Sequence, residues 1–223
     1  MDKNNHPFNI GVLGHVSHGK STLVKAISGV KTQKFSKELE RGITIKLGYA
    51  NAMIYQDPET GEISTSFSDF NHSQSLDTLM KRKISFIDCP GHSMLLRTAF
   101  VGISVIDAII FVVSAVEKCP QPQTLEHLII LDTIMKKKKS KNIITIQNKI
   151  DLVSKENALQ NRKDILEMVK GTVAEDCPII PISAQFNLNL DTVLKQIMYF
   201  HPIYVDNKLP FKMGQKINIK LDY

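Results

Sequence analysis

Three short stretches of the chain carry residue types at spacings that could do phosphate and base chemistry. The first is Gly14-His15-Val16-Ser17-His18-Gly19-Lys20-Ser21, two glycines with four residues between them, followed by a lysine and a hydroxyl. The glycines let a tight loop turn successive backbone N–H groups toward phosphate oxygens. A helix that begins at Lys20 adds the positive end of its dipole. The Lys20 ammonium is spaced to reach terminal phosphates, and the Ser21 hydroxyl, followed by Thr22, is spaced to hold Mg²⁺. The second stretch is Asp88-Cys89-Pro90-Gly91, in which a carboxylate can hold the same cation through water and Gly91 lets the backbone approach a terminal phosphate. The third is Asn148-Lys149-Ile150-Asp151. An aspartate carboxylate such as that of Asp151 can accept two hydrogen bonds from the N1–H and exocyclic amine of guanine, an arrangement that adenine does not offer. Ser183-Ala184-Gln185 follows, with backbone N–H groups that could meet guanine O6; alone it reads more readily as a helix-capping loop.

Each motif follows a short apolar run, and the runs alternate with helical spacings. The pattern predicts strands over 8–13, 44–55, 84–87, 108–113, 143–146 and 179–182. It predicts helices over 20–28 (stopped by Gly29), 93–104, 122–135, 157–169 and 190–199. In the 122–135 helix, Leu125, Leu128, Ile129 and residues 131–134 are expected to form the inner face. Alternation of this kind implies an α/β fold with a mostly parallel sheet covered by helices on both faces, binding ligands beyond the carboxyl ends of its strands. Residues 1–205 read as one domain. Residues 56–83 are polar and without periodicity, which suggests a surface insertion. Residues 206–223 form an extension whose 216–221 alternation reads as one more strand or the start of a second domain.

The chain has 223 residues, 43% hydrophobic and 22% charged, with a formal charge of +6. These are ordinary values for a soluble globular domain, with a tilt toward an anionic partner. The three cysteines, Cys89, Cys119 and Cys177, are scattered, which supports neither a disulfide framework nor a tetrahedral zinc site and suits a reducing compartment. The first residues lack the apolar run of a signal peptide, and the apolar stretch around 108–115 is too short to span a bilayer, so a cytosolic protein without a membrane contact is expected. The lysine run 136–139 with Lys141 reads as a solvated helix end complementing the dipole, with RNA contact the less favoured reading.

Taken in order, the four motifs resemble the P-loop GTPase superfamily. Arg41-Gly42-Ile43-Thr44-Ile45 and Asp88-Cys89-Pro90-Gly91-His92 look like translation GTPases specifically. Residues 25–30, 38–41, 43–52, 119–124 and 171–175 are similar to the gamma subunit of eukaryotic and archaeal-type initiation factor two, a likeness that spans roughly residues 8–205. The resemblance implies a Ras-like GTPase domain that binds GTP or GDP with Mg²⁺ held by Ser21, Thr44 and, through water, Asp88. It implies that Thr44 is the switch threonine sensing the γ-phosphate, that His92 positions the attacking water, and that Thr44 and His92 serve hydrolysis together with Lys20 on the β- and γ-phosphates. No arginine finger is obvious, so an activating protein is expected. Further implied partners are a nucleotide-exchange factor, alpha and beta subunits, methionyl initiator tRNA and the small ribosomal subunit. Many family members bind zinc through paired cysteines in the insertion after the switch. Residues 56–83 hold no cysteine, so zinc is not expected there. Two β-barrel domains follow the nucleotide domain in the family, and Tyr223 leaves room for neither. An elongation-type tRNA-delivering GTPase and a non-catalytic GTP-binding scaffold are the alternative readings.

Overall fold

The computed structural model describes residues 7–32, 47–70, 77–91 and 105–201. Seven strands form one sheet in the order β3-β2-β4-β1-β5-β6-β7. They are β1 (Phe8–Leu13), β2 (Gly48–Gln56), β3 (Ile63–Ser64), β4 (Met80–Asp88), β5 (Ala108–Ser114), β6 (Ile143–Asn148) and β7 (Ile179–Pro181). β1 pairs in parallel with β4 and β5, and β5, β6 and β7 continue in parallel; β2 and β3 add antiparallel pairs at one edge.

Helices α1 (Lys20–Ser28), α2 (Pro122–Lys138), α3 (Lys155–Val169) and α4 (Leu190–Met198) cover the two faces. β5 explains how. Its seven residues are all buried, because successive side chains point to opposite faces and both are covered. Ala108, Ile110 and Val112 belong to the core that includes Leu23, Val24 and Ile27 of α1 and Val193, Leu194 and Ile197 of α4. Ile109, Phe111 and Val113 join the other core, with Leu128, Leu131, Ile134 and Met135 of α2 and Ile165 and Val169 of α3. The helix ends follow local rules. Ser154 caps α3 by accepting from the Asn157 N–H, and Pro122 opens α2, where its missing N–H costs nothing.

Three expectations change. The inner face of α2 is Thr124, His127, Leu128, Ile130, Leu131, Ile134 and Met135, while Leu125 and Ile129 are 40% and 65% exposed. The buried set keeps the i, i+3, i+4, i+7 spacing, and those two leucine-type residues fall on the flank of that stripe. Second, the stretch expected as a surface insertion is partly built into the sheet. β2 continues to Gln56, which pairs with Met80 of β4, and β3 pairs with Tyr55 and Gln56. This edge lies at the rim of the sheet and carries mixed exposure, so it lacks the apolar run that marks a central strand. Third, α3 starts at Lys155, two residues earlier than its apolar spacing suggests. The expected helix over 93–104 and the extension 206–223 lie outside the described residues. At the end of the lysine run, Lys136 pairs with Asp132 and Lys141 with the exposed Asp176. No described helix is long and apolar enough to cross a membrane.

Candidate nucleotide-binding site

The residues expected to touch nucleotide gather at the carboxyl ends of the parallel strands. β1 ends at Leu13, and the loop Gly14, His15, Val16, Ser17, His18, Gly19 turns directly into α1. Ser17 and Gly19 both have left-handed backbone, at φ 63° and 93°. Alternation of left- and right-handed residues makes the concave row of N–H groups that suits an anion, and it ends on the N-terminus of α1. Gly19 is required there twice over: its φ disfavours other residues, and a Cβ would collide with the Asn148 amide.

Lys20 is 5% exposed and its Nζ donates 2.7 Å to the His15 carbonyl, lying across its own loop. Burial pulls the ammonium down to about 8, against the pull of Asp88 and Cys89 in the other direction. Ser21 and Thr22 are half-buried on the first turn of α1. Asp88, fully buried, ends β4 opposite Val12 of β1 and Gly48 of β2. Its Oδ2 accepts a 2.6 Å hydrogen bond from the Thr32 hydroxyl. Next to it, burial and the Asp88 charge push the Cys89 thiol up to about 12, so it is no nucleophile. Gly91 lies directly against the phosphate loop. A Cβ there would stand 2.7 Å from the Val16 nitrogen and 2.6 Å from Lys20 Nζ.

Asn148, at the end of β6, is the hub of the remaining loops. Its Nδ2 donates 2.9 Å to the His18 carbonyl and its Oδ1 accepts 3.1 Å from the Ala184 N–H. One buried amide thus fixes the phosphate loop, the 148–151 loop and the 183–185 loop together. Lys149 takes a left-handed conformation that starts the turn Ile150–Leu152, and Ile150 N–H bonds the Ile182 carbonyl at 3.3 Å. Asp151 is exposed, and in the 183–185 loop joined to this turn Ser183 and Ala184 are buried and Gln185 is exposed. Thr44 and His92 lie outside the described residues.

Sequence reasoning missed two supports. His127 of α2 is fully buried and its Nε2 meets the Gly91 carbonyl at 3.0 Å, bracing the Asp88–Gly91 turn from the helix. Thr32 holds Asp88 from the segment after α1. Neither belongs to a motif, and a lone histidine on an apolar helix face or a threonine after a glycine gives no signal until the fold brings them in. The donor set fits a polyphosphate with a divalent cation: a row of loop N–H groups, a buried ammonium, a buried carboxylate and a glycine contact too close for any side chain.

This sheet order, with a phosphate loop between β1 and α1 and an aspartate ending the neighbouring strand, defines a P-loop GTPase fold. Residues 5–202 match the family described as the elongation factor Tu GTP binding domain. The chain belongs to that family. It is 50% identical over 196 residues to translation initiation factor 2 subunit gamma of Pyrococcus horikoshii, a match covering 87% of this chain and 46% of that protein. It is 46% identical over 207 residues to the eukaryotic translation initiation factor 2 subunit gamma of Schizosaccharomyces pombe, covering 88% and 46%. The chain therefore spans about half the length of these curated relatives. Among solved structures it is similar to a bacterial selenocysteine-specific elongation factor, EF-Sec, with a TM-score of 0.66 and 25% identity over 87% of this chain and 28% of that one. It is also similar to elongation factor SelB of Methanococcus maripaludis bound to a GTP analogue, with a TM-score of 0.60, 25% identity and coverage of 87% and 34%.

Proposed function

We propose that this chain binds and hydrolyses GTP as the nucleotide-binding part of an initiation-factor-two-type GTPase. The observation that carries the reading is the Asn148 amide, which fastens a phosphate-binding loop and two base-reading loops into one surface at the strand ends. Loop N–H groups from residues 14–19, the α1 N-terminus and Lys20 would hold the phosphates. Ser21, Thr44 and, through water, Asp88 would hold Mg²⁺, which neutralises charge developing on the phosphates when bound. Asn148 shapes the base site, Lys149 would flank the base, Asp151 would accept its N1–H and amine, and the 183–185 backbone would meet its carbonyl. Thr44 would sense the γ-phosphate, and His92 would orient the attacking water, since phosphoryl transfer depends mostly on positioning and charge.

The relatives' names, translation initiation factor 2 subunit gamma, support a place in translation initiation as one subunit of a larger factor; alpha and beta subunits, methionyl initiator tRNA and the small ribosomal subunit are the partners proposed with that reading, and the cytosol its place. Activating and exchange factors would set the pace of the cycle. Competition binding of GTP, GDP and ATP with Mg²⁺, followed by single-turnover hydrolysis with and without an activating protein, tests the reading. Guanine-selective binding and hydrolysis under either condition are expected. Equal uptake of adenine and guanine nucleotides would refute the base site, and GTP binding without turnover under both conditions would leave a non-catalytic scaffold.

A further inference from the structure

The histidines of the phosphate loop bring their rings, not only their backbone, to one place. His15 and His18 lie with ring centroids 4.9 Å apart, and both face Glu117 in the segment after β5. His15 Nδ1 is 3.8 Å and His18 Nε2 3.3 Å from the same carboxylate oxygen, Glu117 Oε2. The three donor atoms lie within 4.8 Å of one another.

The protons at this cluster do not close. His18 is 2% exposed, and its Nδ1 is 3.1 Å from the Val112 carbonyl, which can only accept. Nδ1 therefore carries the hydrogen, and a neutral ring turns a bare Nε2 lone pair toward a carboxylate oxygen, one acceptor against another. His15 Nδ1, itself buried, makes no hydrogen bond. Two ring nitrogens and a carboxylate oxygen thus converge, His18 Nε2 at hydrogen-bond distance from Glu117 Oε2 but with no proton to donate while the ring is neutral.

We infer that His15, His18 and Glu117 form a site for a divalent transition metal of the zinc class. Two histidines and a glutamate are an established donor set for such an ion, which leaves the fourth tetrahedral position to water. Donor atoms about 2.1 Å from a tetrahedral metal stand roughly 3.4 Å apart, close to the 3.3 Å between His18 Nε2 and Glu117 Oε2. The 3.8 Å from His15 to Glu117 needs to close by a few tenths of an ångström, and the His15 ring must swing toward His18 by up to about 1.4 Å, since the three donor atoms span up to 4.8 Å. The Val112 carbonyl supplies the outer hydrogen bond that characteristically fixes the tautomer of a ligating histidine. The glutamate is anchored as well: Asn161 of α3 donates to the Glu117 carbonyl at 3.3 Å and is itself held by Gln147 at 2.9 Å. Zinc is not expected from the sequence, given the absence of cysteines in residues 56–83 and the scatter of Cys89, Cys119 and Cys177; this site departs from that expectation by using histidines and a carboxylate. A metal here would tie the phosphate loop to the segment after β5.

Cobalt(II) titration of the full chain, without nucleotide or magnesium, tests the site independently of GTP binding. One equivalent should give the intense visible absorption of tetrahedral cobalt, and zinc should displace it. Glu117→Gln and His15→Gln, each checked for a native circular dichroism spectrum, should each weaken cobalt binding at least about tenfold. Two variants are used so that one remains readable if the other misfolds. The absence of a saturable one-to-one signal would overturn the site and leave a buried imidazolium–carboxylate pair. Binding unchanged in both variants would also overturn it, by assigning the metal to other histidines.

Discussion

The Thr32 hydroxyl donates a 2.6 Å hydrogen bond to Asp88 Oδ2, joining the segment after α1 to the carboxylate that ends β4. Both residues are buried, and the Thr32 side chain also packs on Gly48, where a Cβ would stand 2.6 Å from Thr32 Cβ. Removing a donor from a buried charged acceptor costs about 1.5–3 kcal/mol. Thr32→Val, which preserves the shape, should therefore lower unfolding stability by that order in urea titrations, while Thr32→Ser should keep most of it. A Thr32→Val variant as stable as the parent, beside a destabilised Thr32→Ser, would mean that packing on Gly48, not the hydrogen bond, is what Thr32 supplies.

Asn148 makes a second prediction sharp, because its two amide ends bond different loops. Asn148→Ala removes both bonds, and Asn148→Asp removes only the donor to the His18 carbonyl. GTP affinity should fall at least about tenfold in both, roughly 1.4 kcal/mol or more. The alanine variant should also lose more stability, since the Ala184 N–H is then left without its partner. Fluorescent-nucleotide binding and urea unfolding read the two effects separately. Unchanged nucleotide affinity in the alanine variant would detach the hub from the site.

What the sequence made legible was chemistry tied to backbone spacing. The phosphate loop, the strand runs over 8–13 and 179–182 and the Gly29 stop of α1 are local signals, and the fold carries them at those places. Contacts between distant elements were not legible. The spacing of α2 marks an apolar helix but does not say that His127, rather than Leu125 or Ile129, turns inward to meet Gly91. In the same way, Gln56, the two-residue β3 and residues 80–83 hide the rim of the sheet, because strands there need no continuous apolar run. Asn148 was readable as a base-site residue, and its grip on His18, 130 positions earlier, was not.

Gly91 marks where the Asp88–Gly91 turn rests on the phosphate loop. A methyl there would stand 2.7 Å and 2.9 Å from the Val16 nitrogen and Cα, backbone atoms that cannot swing aside. Gly91→Ala should lift the turn away and weaken GTP more than GDP, by about tenfold or more against less than about threefold. Isothermal titration with each nucleotide checks this. Equal weakening of the two would remove Gly91 from any role specific to the γ-phosphate.

His127 gives the fold a pH dependence. Burial, only partly countered by the Gly91 carbonyl, draws its ring from the ordinary 6.5 down to about 4, and the charges of Lys20, His15 and His18 push the same way. The folded chain therefore refuses a proton that the unfolded chain accepts between about pH 4 and 6.5. Stability is fully present above pH 6.5 and is lost as the pH falls toward 4, by up to about 1.4 kcal/mol per pH unit from this residue. His127→Gln, whose amide can still donate to Gly91, should flatten that slope in urea titrations run across the window. A variant with the same slope as the parent would assign the acid sensitivity elsewhere.

Base selectivity provides the last test, and it can separate nucleotide identity from overall folding. The Ile150–Leu152 turn is pinned by the Ile150 N–H to the Ile182 carbonyl, so a change at the exposed Asp151 side chain leaves its backbone in place. If the Asp151 carboxylate accepts the N1–H and amine of guanine, an amide in its place loses that match, whereas xanthine offers a carbonyl to which an amide can donate. Asp151→Asn should therefore lower GTP affinity and raise that for xanthosine triphosphate, reversing the preference. Sites that pair a buried or partly shielded polar group discriminate against a mismatched ligand by several kcal/mol, so the shift should exceed about tenfold. Competition binding with the two triphosphates measures it, and urea unfolding of the variant should match the parent. A variant that keeps its guanine preference would move base recognition away from Asp151, toward the 183–185 backbone that Asn148 holds beside it.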